Sequence, residues 1–193
     1  MAMTYPLTLA QFYDNLGLAS GKLTLSESRQ ISVNGGGEII SASLGARLWG
    51  GEISLTPAPH QTLQGIESVI ELLLDPGATF LAYDKRNTYP AADPLGAILG
   101  ASTPTLNTVA VNNVDVTIAG LPAGYVLTAG DQFSFTYATT RCAMHRVVVG
   151  ATASGGGSAT VQVVPAIRSG YSLGAAVTLI KPVIKAVIVP SSY

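Results

Sequence analysis

The sequence predicts an all-β protein carrying one crossover helix, built as two units with the second inserted into the first. Three observations carry this expectation. Short runs alternate apolar and polar residues with the period of two that marks a half-buried strand. Each run is bounded by Gly, Pro, Ser or Asn, the residues that turn chains. A single stretch has the three-and-four apolar spacing of an amphipathic helix.

From the N-terminus, "GKLTLSESRQISV" sets Leu23, Leu25, Ile31 and Val33 on one parity and Lys22, Thr24, Gln30 and Ser32 on the other. This predicts a half-buried strand bent near Ser26 to Ser28. "VNGGGEII" supplies a turn, and "ARLWGGEISL" a second strand with Trp49, Ile53 and Leu55 on one face. Gly50 and Gly51 inside that strand point to a bulge or a close backbone approach. In "TLQGIESVIELLLDPG", Leu63, Ile66, Ile70 and Leu73 form one apolar stripe, which predicts a helix over about 61–74. Gln64, Glu67 and Glu71 face away from it. Asp75-Pro76-Gly77 stops the helix, since Pro cannot continue it and Gly tolerates the turn. "ATFLAY" then reads as a strand, making the helix a crossover lying on a sheet, and "DKRNTYPAADPLG" reads as a loop.

Between Gly100 and Thr108 the charges thin and short strands begin at close intervals: "VDVTI", "QFSFTY", "HRVVVGA", "SATVQVV" and "AAVTLI". Five strands of this rhythm predict a small barrel or sandwich, and five is the count of an OB-type barrel. The final "KPVIKAVIV" is one more strand, assigned back to the first sheet. The expected division is residues 1–100 with 182–193 for the first unit and 101–181 for the inserted one.

Only 11% of the 193 residues are charged, against a typical ~25%. Two readings fit: a compact β-rich domain, or a chain that covers much of its surface with copies of itself. The net charge of −1, with no basic block, argues against a dedicated nucleic-acid binder. "MAMTYPLTLAQF" has neither the positive segment nor the apolar core of a signal peptide. "VIELLL" and "AVIV" are too short to span a bilayer. One cysteine, Cys142, excludes an internal disulfide framework. A cytoplasmic protein without membrane insertion is expected.

The search for chemistry yields no catalytic, cofactor or metal site. Gly155 to Gly157 lie between strands, so they read as a hairpin tip; a phosphate cradle needs a following helix N-terminus. The same test removes "NGGGEII", and "SGKLT" lacks Ser or Thr directly after Lys22. Cys142 and His145 sit three apart in a strand, which points their side chains to opposite faces and denies a thiolate–imidazole pair. Cys142 is expected to pack as a small apolar group, and His145 to hydrogen-bond at a surface. His60 lies far away in sequence, and no metal-ligand spacing joins the three. Glu67 and Glu71 read as a solvated helix face or a subunit contact. Asp131 reads as a turn cap, and Arg168 as a pairing residue at a strand end. Asp84 and Asp93 lie in an acidic loop without calcium-loop spacing.

The order of "FYDNLGL", "GGGEIISASLGARLWGGEISL", "ELLLDPGATFLAYDKRNTYPAADPLG", "GLPAGYVLTAGDQFSF" and "HRVVVGATASGGGSATVQVVPAIR" resembles distal tail proteins of tailed bacteriophages and of gene-transfer-agent-like particles. The resemblance spans nearly the whole chain, and its phrases are structural rather than catalytic. It implies a ring-forming β-sandwich with a peripheral, OB-like β-barrel. It also implies a structural virion protein at the distal end of the tail, made in the host bacterial cytoplasm. Its partners would be further copies of itself in a cyclic homo-hexamer, the tail tube protein, and the tail hub and tip proteins. Glu67 and Glu71, with Arg47 or Arg86, would supply polar edges to contacts around the ring. Two alternatives stay open: a tube-end adaptor or baseplate subunit, and a sugar-binding or hydrolytic tip domain. The chain departs from a DNA-conducting ring in charge, being only weakly acidic.

Overall fold

A computed structural model describes residues 3–137 and 141–190. Residues 1–2 and 191–193 of the expected first unit, and 138–140 of the second, lie outside the described residues. Among the described residues the chain is mostly β, with a single α-helix. Its apolar residues gather into two cores.

The N-terminal region holds two-stranded antiparallel ribbons. β1 (Leu18–Leu25) pairs with β4 (Trp49–Leu55), and β2 (Arg29–Val33) pairs with β3 (Ile39–Ser43). The four strands make one long hairpin, interrupted near Ser26 to Ser28, where the sequence predicts a bend. Its tip is held by Asn34, whose side-chain oxygen accepts from the Gly36 and Glu38 N–H groups. Gly51 is a close-approach position, since a Cβ there would sit 2.7 Å from Leu23 Cδ2. The bulge falls instead on β1, between Leu18 and Ser20.

Burial corrects the half-buried reading of this hairpin. β1 alternates half-buried and exposed residues, but every residue of β2 and β3 is exposed. Ile31 and Val33 keep the parity of Leu23 and Leu25, yet the distal ribbon has nothing beneath it.

The helix α1 (His60–Leu73) forms as its spacing predicts, one residue early. Ile66, Val69, Ile70 and Leu73 pack on the N-terminal core, while Gln64, Glu67 and Glu71 face out. Gly77, at φ 89°, reverses the chain after it. β5 (Phe80–Ala82) follows. The helix is not a crossover within one sheet, because β4 and β5 belong to different ribbons. β5 is flanked on one side by Leu7, whose N–H donates to Thr79 and whose carbonyl accepts from Leu81. On its other side it pairs with β14 (Ile184–Ala186), part of "KPVIKAVIV". Leu7, Phe12, Tyr13, Phe80 and Ile184 fill the core between them.

The second core lies on six strands, one more than the sequence rhythm shows. They are β6 (Thr105–Val109), β7 (Asp115–Ala119), β9 (Gln132–Tyr137), β10 (Arg141–Val149), β12 (Ala159–Val164) and β13 (Val177–Thr178). The antiparallel order is β13-β9-β10-β12-β7-β6. A small ribbon joins β8 (Val126–Leu127) to β11 (Ala151–Thr152). Leu106, Val116, Ile118 and Phe133 are fully buried here, each contributing about 1.5–3 kcal/mol by leaving water. The ladder is not a closed barrel. Its edges approach each other through the isolated bridge Thr105 to Ala176 and through Leu106 N–H to the Ala175 carbonyl at 2.9 Å. β13 is too short to continue that pairing.

β9 and β10 form a wall between the two cores. Phe133, Phe135 and Tyr137 face the second core. On the opposite parity, Met144 is 2% exposed and joins the N-terminal core. Ser134 Oγ accepts from the Val183 N–H at 2.9 Å, just ahead of β14.

Candidate functional site

The residues singled out in sequence fall apart in space. Among the described residues, no group of three His, Cys, Asp or Glu is placed to hold a metal ion. Cys142 pairs across strands with Thr136, and His145 with Phe133, so the two lie on opposite faces of β10. Burial pushes the Cys142 thiol up, against a weaker opposing pull from Thr136 and Lys185, which works against thiolate formation.

His145 is a correction. It is not at a surface but 2% exposed, stacked 5.4 Å from the Phe135 ring, with Nδ1 2.7 Å from the Pro165 carbonyl. Burial, reinforced by the charge of Arg168, lowers its pKa to about 4 despite that hydrogen bond. His60 opens α1 on the surface.

The aspartates brace loops. Asp131 Oδ2 caps its own turn by accepting from Thr128 N–H at 2.7 Å, and Oδ1 accepts from Ala91 N–H at 2.8 Å. Asp93 accepts from the Ile98 and Leu99 N–H groups. Burial alone would raise its pKa, but these bonds outweigh burial and hold it below the usual carboxylate range. Asp84 is likewise held low, its burial outweighed by the Arg86 guanidinium and backbone and by Asn87. Gly155 to Gly157 lie in the tight turn between β11 and β12, with Gly157 at φ 73° and its N–H on the Ser154 carbonyl, but the two strands pair with other partners, so the turn closes no β11–β12 ladder.

What the sequence does not announce is a cleft of about 640 Å³ where the β1–β4 ribbon meets β10 and the turn at Asp84 to Asn87. Lys22, Arg47, Arg86 and Arg146 line it, together with Trp49, and no carboxylate does. Three of the four cations are anchored. Arg146 lies over the Trp49 ring at 5.1 Å, Arg86 is paired with Asp84 at 2.8 Å, and Arg47 Nε donates to the Ser26 carbonyl at 3.0 Å. Arg168 adds a fifth cation beside them, donating to the Arg47 carbonyl at 3.1 Å. The four lining cations are far apart in sequence, so no basic run reveals them. The only advance signal is the strand parity that puts Arg146 on the face opposite His145.

The arrangement can hold anionic groups by charge; it presents no nucleophile paired with a base. Compared with protein-family models and with curated proteins, the chain matches none.

Proposed function

We propose that this chain is a structural virion protein of a bacteriophage tail tip, forming a homomeric ring that joins the tail tube to the distal tip or baseplate complex. The observation that carries the reading is the distal ribbon. Ile31, Val33 and Ile39 share one face of a hairpin that leaves the core, at 51%, 63% and 70% exposed, and Ile40, at 55%, lies on the other. Alternating apolar residues on a strand are patterned for burial, and a bare ribbon of this kind is a template for association. The low charge of the whole chain and the resemblance to distal tail proteins support the same reading. A closed ring needs two different surfaces of each copy to meet around a rotation.

In this reading, residues 1–100 with 182–193 form the ring unit, a β-sandwich in the assembled particle. Residues 101–181 form a peripheral, partly open OB-like barrel; the near approach of β6 and β13 supports that part. The ring order of six follows from the resemblance. Its partners are neighbouring copies, the tail tube protein and the hub and tip proteins. The site of action is the distal tail of the virion, after synthesis in the host bacterial cytoplasm.

The test is a symmetry-resolved image of purified virions with this protein localised by antibody. A ring at the distal end of the tail is expected. A virion lacking the protein there, or carrying it as isolated monomers, would refute the reading.

A further inference from the structure

We propose that the cationic cleft seats the acidic face of α1 from a second copy of this chain. This rests on the ring reading above and names the two surfaces that meet in it.

The cleft gathers four of the chain's ten Lys and Arg residues on a molecule whose net charge is −1. Like charges held this close repel one another, and the nearest relief is partial. Asp84 answers only Arg86, and Glu52, the cross-strand neighbour of Lys22, makes no ion pair with it. The counter-charge lies on α1. From Ile53 to Asp84 the chain has no Lys or Arg, and the outer face of the helix and its end carry Glu67, Glu71 and Asp75. All three are exposed, and among the described residues none is hydrogen-bonded or ion-paired through its side chain. The other carboxylates, Glu52 excepted, have partners: Asp14 with Lys181, Glu27 with Arg29, Glu38 with Asn34, Asp115 with Asn112, and the three buried aspartates with loop groups.

One chain does not bring the two surfaces together. The helix packs its inner face on the core that Trp49 flanks, so its acidic face points away from that core. Two complementary, non-overlapping surfaces on one molecule are what a head-to-tail contact requires. Such charge matching sets register and speeds encounter, while apolar contact supplies the bulk of the affinity.

The test follows self-association of the full chain by sedimentation velocity, up to millimolar concentration, at about 0.05 M and about 0.5 M salt. Glu67→Lys with Glu71→Lys, and separately Lys22→Glu with Arg47→Glu, are each expected to weaken association about tenfold at low salt and less at high salt. Mixing the two variants, or placing all four substitutions in one chain, is expected to restore much of it, because the two introduced lysines then face the two introduced glutamates, while Arg86 and Arg146 stay in the cleft. A folding defect would not be rescued in this way. Three results would overturn the proposal: no rescue, a wild-type chain still monomeric at millimolar concentration in low salt, or Lys22-dependent binding of a DNA duplex with self-association unaffected by the four substitutions. A virion ring with α1 facing solvent would overturn this inference and leave the ring reading standing, whereas a virion without the ring would remove both.

Discussion

The Trp49 indole N–H donates to the Met144 carbonyl at 2.7 Å, across 95 positions of sequence. Through this bond the N-terminal ribbon is fastened to the strand that walls the second core, with Arg146 lying over the same ring. Trp49 is the only tryptophan of the chain, so its fluorescence reports on this junction.

Replacing Trp49 by Phe leaves the Met144 carbonyl without its donor, and stability is expected to fall by about 1 kcal/mol. Trp49→Ala also removes the packing, for a loss of about 3 kcal/mol. In urea, wild-type unfolding seen by tryptophan fluorescence and by far-UV circular dichroism is expected to coincide, because the two cores share β9 and β10. Two separated transitions would contradict that coupling.

His145 makes stability depend on mild acid. Its folded pKa of about 4 lies below the ordinary 6.5, so between those values the unfolded chain binds the extra proton. Stability is therefore full above about pH 6.5, falls by roughly 3 kcal/mol on the way to pH 4, and is not lowered further by this group below that. Thermal melts from pH 7 to 4 measure the slope. His145→Phe, which cannot titrate, is expected to flatten it. Asp84 and Asp93 act in a separate window, since their lowered values withdraw stability only as pH falls below about 4.

The two ends of the glycine run are expected to respond differently. At Gly157, φ is 73° and a Cβ would collide with the Leu121 carbonyl. Gly157→Ala is expected to cost about 2 kcal/mol or more. At Gly155 an added Cβ meets nothing within 4 Å, so Gly155→Ala is expected to stay within about 0.5 kcal/mol of wild type. Chemical denaturation of the pair decides it. Equal effects would mean the tip has another conformation.

Asp131→Ala orphans the Thr128 and Ala91 N–H groups, one local and one 40 positions away. A loss of about 2–3 kcal/mol is expected. Amide exchange at Ala91 should accelerate with it, since the loop from Asp84 to Gly96 loses a tether to the second core.

Val33 and Ile39 face each other across the distal ribbon. Because both are exposed, changing them together to Lys is expected to alter the unfolding free energy of the isolated chain by about 0.5 kcal/mol at most. The same change is expected to abolish incorporation into tails. A large drop in monomer stability would mean that the ribbon packs on its own chain.

The helix, the turns and most strands were legible because their signals are local: a three-and-four stripe, an Asp-Pro-Gly stop, an Asn-Gly-Gly-Gly tip. The environment of a strand is not local. Ile31 and Leu23 have the same parity and the same chemistry, yet only Leu23 has a core beneath it, since that depends on where the hairpin points after Ser28. The burial of His145 is hidden from the sequence for a related reason. Around His145 the strand has the second core on one face and Met144 in the N-terminal core on the other, so the alternation there does not lead to water, and the polar side chain bonds to the backbone of Pro165. The cationic cleft was illegible because Lys22, Arg47, Arg86 and Arg146 meet only once the ribbon, the loop and β10 are assembled.

The pairing of Phe80–Ala82 with Ile184–Ala186 has a consequence for descent. Facing strand positions lie about 5 Å apart, so everything from Tyr83 to Val183 leaves and re-enters the N-terminal core through adjoining strands. Such a doorway lets a lineage lengthen, trim or exchange the intervening sequence while the surrounding framework keeps its shape. The freedom is limited where this sequence joins the framework: Tyr83 enters its core, Arg168 donates to the Arg47 carbonyl, and Met144 both enters the core and receives Trp49 at its carbonyl. Any successor sequence must return an apolar strand to that spot, and the position of Met144 is where distant relatives should differ least in character.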